Sequence, residues 1–188
     1  MAERVDTFEL SRRAFESTRP RVAALSVLDL DRRSTCEGWD VRNVLAHLVG
    51  GNIRFAQALR GEPADWPSRD EEVINDALAQ FDETAEIMRD AIAGITDPKS
   101  KTVLQAGEPP AFFAVGVHAA DMLVHGWDIA MSTGQDPTLD PELCLAAIGI
   151  LELYPEDFWG PGQFFSAKVA ATSDDPQARL LALAGRKY

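Results

Sequence analysis

The stretch from Ala111 to Met131, AFFAVGVHAADMLVHGWDIAM, most constrains the fold because it is almost wholly apolar yet carries two histidines and an aspartate. Two prolines precede it and a glycine follows it, a pattern typical of a helix. At 3.6 residues per turn, His118, Asp121 and His125 share one side of that helix. A bundle turns such an apolar face inward, where a carboxylate needs a cation. The stretch therefore predicts a buried helix that carries a polar site.

Five further segments show helical spacing and end signals. The first begins with a capping box at Asp6 and is expected to kink or split at Pro20. The third begins with a similar box, Ser68 with Glu71. The predicted ranges are about 6–25, 41–59 with Asp40 as N-cap, 68–94, 140–154 and 175–185. Short extended pieces are predicted at 102–104 and 164–170.

The second helix carries Gly50 and Gly51 at its centre, where each glycine costs roughly 1 kcal/mol relative to alanine. That cost indicates either a close approach of another backbone or of a ligand, or simply a flexible helix middle. Long helices joined by short connections favour an all-α four-helix bundle. We predict that residues 1–154 form this bundle and that residues 155–188 form a short irregular C-terminal extension packed on it.

The net charge of the chain indicates which classes of binding partner are disfavoured. The 188-residue chain has a net charge of −12, which disfavours nucleic acid and anionic membrane surfaces. We see no signal peptide and no apolar run of membrane-spanning length, so a cytoplasmic protein is expected. Cys36 and Cys144 match no ligand spacing and are interpreted as free thiols in a reducing compartment.

Asp121 and His125 are spaced i, i+4, so their side chains are neighbours that can chelate one ion. His47, on the second helix, is the natural third ligand. Two imidazoles and a carboxylate suit Zn²⁺, Ni²⁺, Fe²⁺ or Mn²⁺ and leave coordination positions for water or substrate. The pattern predicts a metal site of the catalytic type.

Other residues near this site have more than one interpretation each. His118 lies two turns from His125 and is either a pocket residue, an outer-shell partner or a core histidine. Asp128 could orient a ligand histidine, or it could be a hydrogen-bonded structural acid. Arg54 could bind a substrate carboxylate or be a snorkelling surface arginine. Trp39 and Trp127 could line a pocket or pack at helix ends.

The segments CEGWDVRNVLAHLVGGN and HAADMLVHGWDIA, with the tail RLLALAGR, resemble the DinB-like superfamily. They are most similar to its actinobacterial branch of mycothiol-dependent maleylpyruvate isomerase-like, metal-binding proteins. The resemblance spans nearly the whole chain and implies a four-helix bundle. It also implies a divalent metal held by His47, Asp121 and His125, with His118 not a ligand.

The resemblance implies a chemistry as well. Several members of the family are thiol-dependent transferases or isomerases that use mycothiol, bacillithiol or glutathione, and a metal can lower the pKa of such a thiol so that it attacks an electrophilic carbon. Asp121 stands where the maleylpyruvate isomerases have glutamate, and the segment after Tyr154 is shorter than their C-terminal domain. The resemblance therefore implies a branch member with its own substrate.

Four hypotheses follow from these residues. The first is a metal-dependent thiol S-transferase or isomerase with Zn or Ni as the metal, mycothiol as cosubstrate and a small electrophile as substrate. The second is a non-catalytic bundle that binds a metal or small ligand. The third is a hydrogen-bonded polar core without a metal, and the fourth is an iron oxygenase. A homodimer is compatible with such a bundle, although no seam stands out from its core-facing positions.

Overall fold

The computed structural model describes residues 6–66, 74–104, 107–160 and 166–187. Within these ranges the chain is helical and has only isolated β-bridges. The helices are α1 (Thr7–Ala23), α2 (Val41–Arg60), α3 (Ala77–Ala93), α4 (Ala111–Thr133), α5 (Pro141–Leu151) and α6 (Pro176–Leu183). The predicted all-α bundle is confirmed. None of the described helices is long and apolar enough to cross a bilayer.

Helix α4 is the centre of the bundle. It packs against α1, α2 and α5, and its residues 114–120 and 122–130 are all buried. A helix that is apolar nearly all round is stable only when other elements cover every side. Helix α3 packs on α2 and α1, and α6 packs on α5. The polar side chains of α4 consequently lie inside the molecule.

Helix ends follow the predicted signals at most positions. The Asp6 carboxylate accepts hydrogen bonds from the first turn of α1, and Asp40 and Asn43 form a capping box at the start of α2. Gly134, with a left-handed φ of 73°, ends α4. The predicted split at Pro20 does not occur. That residue lies in the last turn of α1, so few helical hydrogen bonds remain beyond it to be disturbed.

The predicted start of the third helix and the two predicted extended pieces differ from the structure. Helix α3 begins at Ala77 and not at residue 68, since residues 74–76 are not helical. The Asp76 carboxylate caps its first turn. The Ser68–Glu71 capping box lies outside the described residues. Residues 166–170 form no strand, and residues 164–165 of that prediction also lie outside the described residues. The piece at 102–104 has only bridge-like pairing with the turn that follows it.

The glycine of α4 next to the site allows α1 to approach closely. A Cβ added at Gly126 would lie 2.5 Å from Oγ1 of Thr18, which donates a hydrogen bond to the Met122 carbonyl at 3.0 Å. In contrast, a Cβ added at Gly51 meets no described atom within 4 Å. The close approach suggested for that glycine is therefore not present among the described residues.

We expect Gly126→Ala to destabilise the fold by about 1–3 kcal/mol, because the branched Thr18 side chain must move and lose its hydrogen bond. Gly51→Ala is the matched control and should raise stability by up to about 1 kcal/mol through helix propensity. The free energy of unfolding in urea measures both changes. Equal stability of the wild type and Gly126→Ala would contradict the packing described here.

Candidate metal centre

Three side chains from two helices meet at one point. Nε2 of His47, on α2, lies 3.0 Å from Oδ2 of Asp121, on α4. Nε2 of His125, one turn further along α4, lies 3.4 Å from Oδ1 of the same carboxylate. One ligand atom from each residue lies within 4.8 Å of the other two. The structure thus brings together the three residues that the sequence grouped.

The local fold explains this convergence. The capping box at Asp40 fixes where α2 begins, and His47 follows two turns later on the side that faces α4. Trp39 precedes the helix, and its indole stacks on the His125 ring with an angle of 7° and a centroid distance of 5.8 Å. The indole also contacts His47, with 5.3 Å between centroids. Trp39 therefore covers both imidazoles from one side.

The site is open to solvent on another side. The side chains of His47 and Asp121 remain 29% and 33% exposed, whereas His125 is 7% exposed. A small molecule can therefore reach the carboxylate and His47 while His125 stays fixed in the core. This partial exposure is what a site with free coordination positions requires.

Asp128 contacts the His125 ring and bears on which ring nitrogen carries the hydrogen. Its Oδ2 lies 2.8 Å from Nδ1 of His125, and an ionised carboxylate can only accept a hydrogen bond. This contact, which is not aligned as a hydrogen bond, favours the tautomer with the hydrogen on Nδ1, and in that neutral ring Nε2 presents a lone pair. Such carboxylate–histidine pairs commonly orient metal-binding imidazoles. The contact with His125 agrees with the orienting interpretation of Asp128, and hydrogen bonds from Thr35 and Arg186 agree with the structural one, so both interpretations stay predictions.

These atoms fit a divalent cation. The lone pair on Nε2 of His125 faces a carboxylate oxygen of Asp121, so two acceptors oppose each other unless a proton or a metal ion lies between them. A tetrahedral zinc with ligands at about 2.1 Å would place each pair of ligand atoms roughly 3.4 Å apart. The two histidine-to-aspartate distances, 3.0 and 3.4 Å, are close to this value, and all three ligand atoms lie within 4.8 Å of one another. Nitrogen and oxygen donors of this kind suit zinc and nickel.

Asp128 has two further partners that the sequence did not indicate. Arg186 donates from Nε to Oδ1 at 3.2 Å and from a terminal nitrogen to Oδ2 at 2.7 Å. The Thr35 hydroxyl also donates to Oδ1. Arg186 follows α6 and Thr35 lies in the loop before α2, so no spacing rule links either one to α4. The sequence signals were the chemistry of a buried acid, which requires a cationic partner, and the place of Arg186 at the end of the tail RLLALAGR that carries the family resemblance.

The charges around the site keep both carboxylates ionised. Burial alone would raise the pKa of Asp121, but the positive charges that His47 and His125 carry when they are protonated outweigh it and hold that pKa well below its ordinary value. Burial of Asp128 is likewise outweighed by the hydrogen bond from His125 and the charge of Arg186, so its pKa is also lowered. Both acids are therefore available as anions at neutral pH.

Cys36 lies in the same loop as Thr35 and is half-buried, with a free thiol. Burial raises the pKa of this thiol, and the nearby Asp128 and Asp121 carboxylates add to the effect, while Arg186 opposes it. The thiol therefore stays protonated at neutral pH and is a weak nucleophile.

His118 belongs to a separate buried chain of polar groups. Its Nε2 lies 2.9 Å from Oδ1 of Asn52, and the Asn52 amide donates to the Thr84 hydroxyl at 3.0 Å. The ring contacts Phe15 and Phe55 and is 2% exposed. Burial lowers the pKa of His118 to about 4, so the ring is neutral at physiological pH. This environment matches the core-histidine reading.

Arg54 and Trp127 are both buried. Arg54 is buried, with 9% exposure, and its guanidinium carbon lies 6.0 Å from the centre of the Trp66 ring. The surface reading of Arg54 was therefore wrong, because its side chain packs beneath an aromatic ring instead of reaching solvent. Trp127 is fully buried in the core.

Known proteins resemble this chain over most of its length. Two uncharacterized proteins from two strains of Mycobacterium tuberculosis, MT0763 and Rv0738, are each 27% identical over 184 residues, which is 97% of this chain and 98% of theirs. The crystal structure of the mycothiol-dependent maleylpyruvate isomerase matches with a TM-score of 0.50 and 14% identity. That match covers 77% of this chain but 66% of the isomerase, and at this identity it shows the shared fold alone.

The family assignment comes from the sequence itself. The profile described as mycothiol maleylpyruvate isomerase N-terminal domain matches residues 11–130. This range runs from α1 through most of α4, and it contains His47, Asp121 and His125. The DinB-like fold implied by the sequence resemblance is thereby confirmed. The chain belongs to the mycothiol maleylpyruvate isomerase N-terminal domain family.

Proposed function

We propose that this chain is a divalent-metal-dependent thiol S-transferase or isomerase that acts on a small electrophile. The observation that carries the proposal is the convergence of two imidazole Nε2 atoms on the Asp121 carboxylate, 3.0 and 3.4 Å away. His47, Asp121 and His125 would hold the ion. Three protein ligands leave a position for an exogenous group, as catalytic sites require.

The residues around the ion would divide the work. A bound divalent ion would supply the charge that lowers the pKa of a thiol placed beside it. Oδ2 of Asp128 lies 2.8 Å from Nδ1 of His125, on the side of the ring away from the proposed ion, and Trp39 stacks on the face of the ring. The more exposed His47 and Asp121 would border the side from which a thiol and an electrophile enter.

A low-molecular-weight thiol is the favoured cosubstrate, for two reasons. Membership of the family supports mycothiol, the thiol named for the isomerase whose fold this chain shares. Cys36, the cysteine beside the site, has a raised pKa and is a weak nucleophile. The nucleophile would therefore come from solution. The thiolate sulfur would form a bond to an electrophilic carbon while the π bond of an activated double bond, or the C–O bond of an epoxide, breaks. The resulting carbanion or alkoxide would take up the proton that the thiol released. In an isomerase the C–S bond would then break again and return the thiol.

Metal content of the purified protein tests this proposal. We expect about one divalent ion per chain in the wild type and less than a tenth of that in His47→Ala, measured by mass spectrometry after reloading with Zn²⁺ or Ni²⁺. His118→Gln is the matched control, because it also removes a histidine but leaves the three ligands in place. Wild-type protein without metal after reloading would contradict the proposal and favour a hydrogen-bonded polar core.

Turnover separates a catalyst from a binding protein. Consumption of mycothiol, bacillithiol or glutathione would be followed with a panel of electrophiles that contain activated double bonds or epoxides. Metal-dependent thiol consumption that is lost in His47→Ala would support the transferase. A protein that holds one ion yet consumes none of the three thiols would favour a non-catalytic metal-binding bundle.

A further inference from the structure

The Asp128 carboxylate joins three distant parts of the chain. It is fully buried in α4, and it contacts His125 of its own helix, Thr35 of the loop before α2 and Arg186 after α6. Its distances are 2.8 Å to Nδ1 of His125 and 2.7 Å to the nearer terminal nitrogen of Arg186. Both of these contacts are made by the same oxygen, Oδ2. A shift of the guanidinium would therefore act directly on the oxygen that faces the imidazole.

The guanidinium is itself held rigidly. It meets the carboxylate with two nitrogens, a fork geometry that lysine cannot reproduce. Its third nitrogen donates to the Ala184 carbonyl at 2.7 Å, and the side chain is 10% exposed. The backbone N–H of Arg186 bonds the Leu181 carbonyl at 2.8 Å across the turn made by Gly185, whose φ is 78°. The end of α6 thus presents Arg186 in one orientation.

We propose that Arg186 is a positioning residue for the metal centre, acting through Asp128 to keep Nε2 of His125 directed at Asp121. This inference rests on the proposed function, since it needs an ion at His47, Asp121 and His125. It also couples two regions of the protein. If docking of residues 184–187 raises the affinity for the ion by some factor, the bound ion must strengthen that docking by the same factor.

The competing reading is that Arg186 only compensates a buried charge. In that case its loss would weaken the fold but would leave the metal affinity of the folded protein unchanged. Under the positioning reading both would change. Outer-shell partners of metal ligands contribute about 10- to 100-fold in affinity, and a residue one step further away should lie near the lower end of that range.

Zinc affinity in competition with a chromophoric chelator distinguishes the two readings. We expect Arg186→Lys to bind Zn²⁺ about tenfold more weakly than the wild type, because lysine keeps the compensating charge but loses the fork. Arg186→Met should be at least as weak. Arg179→Met, which removes an exposed arginine from α6, is the matched control and should bind like the wild type. If Arg186→Met does not fold, Arg186→Lys still tests the inference.

Hydrogen exchange supplies a readout independent of activity. Zinc should slow exchange of the amides of Ala184, Gly185 and Arg186, which bond carbonyls of α6, by about tenfold in the wild type but not in Arg186→Lys. Equal zinc affinity in the wild type and both Arg186 variants would overturn this inference alone. So would zinc binding that leaves those amides unchanged. Wild-type protein that binds no zinc would overturn the proposed function and this inference with it.

Discussion

Replacing Asp121 with asparagine is expected to lower the affinity for Zn²⁺ by more than about 100-fold while the bundle remains folded. Changes in the outer shell of a metal site already cost up to about that factor, and Asp121 is the only anionic member of the proposed ligand set. Asparagine has the same size and can still accept a hydrogen bond from His47. The loss would therefore come from the missing charge and from a weaker ligand atom.

Competition with a chromophoric chelator at pH 7 measures this effect, and circular dichroism verifies the fold. Asp90→Asn is the matched control because it makes the same substitution at an exposed carboxylate of α3, and its zinc affinity should equal that of the wild type. Similar affinities for Asp121→Asn and the wild type would remove Asp121 from the ligand set. The proposed site would then need a different anion.

The second large effect concerns His118 and acid. Burial lowers the pKa of this histidine from 6.5 to about 4 in the folded protein. Above pH 6.5 the ring is neutral in both the folded and the unfolded chain, so the pKa difference costs nothing there. Between pH 6.5 and 4 only the unfolded chain takes up the proton, so stability falls as the pH falls. At 1.36 kcal/mol per pKa unit, the loss reaches about 3 kcal/mol near pH 4.

His118→Gln isolates this contribution, because glutamine keeps an N–H donor for Asn52 but does not titrate. The free energy of unfolding, measured in urea with a chelator present, should fall by about 2 kcal/mol more in the wild type than in the variant between pH 6.5 and 5. The chelator removes any effect of metal release at the other histidines. Parallel pH profiles for the two proteins would show that His118 is not held neutral by burial.

The central helix and the triad could be predicted because local rules determine them. The apolar run of α4 allowed only a buried helix, and the i, i+4 spacing placed Asp121 beside His125 whatever else the chain did. His47 could be added because a second amphipathic helix must pack against the first. The start of α3 was missed because Ser68 and Glu71 matched the capping pattern, whereas Asp76 is the residue that caps the helix.

The support around Asp128 could not be predicted, since it depends on tertiary contacts. The need for a cation near the buried acids was recognised, but it was assigned wholly to a metal, whereas Arg186 meets it for Asp128. The burial of Arg54 was missed for the same reason. Arg54 follows His47 by seven residues, so the sequence could place it on the same helix face. Only the tertiary fold shows that Trp66 covers it.

The position of the Asp128 contacts in the chain has a kinetic consequence. Thr35 and Arg186 lie 93 and 58 residues from Asp128, so their contacts close long loops whose entropy must be lost first. We expect the helices to pair before this part of the molecule is complete. Weakening these contacts should then accelerate unfolding while leaving the refolding rate nearly unchanged. The lifetime of the folded chain would thus depend on the same few atoms that orient His125.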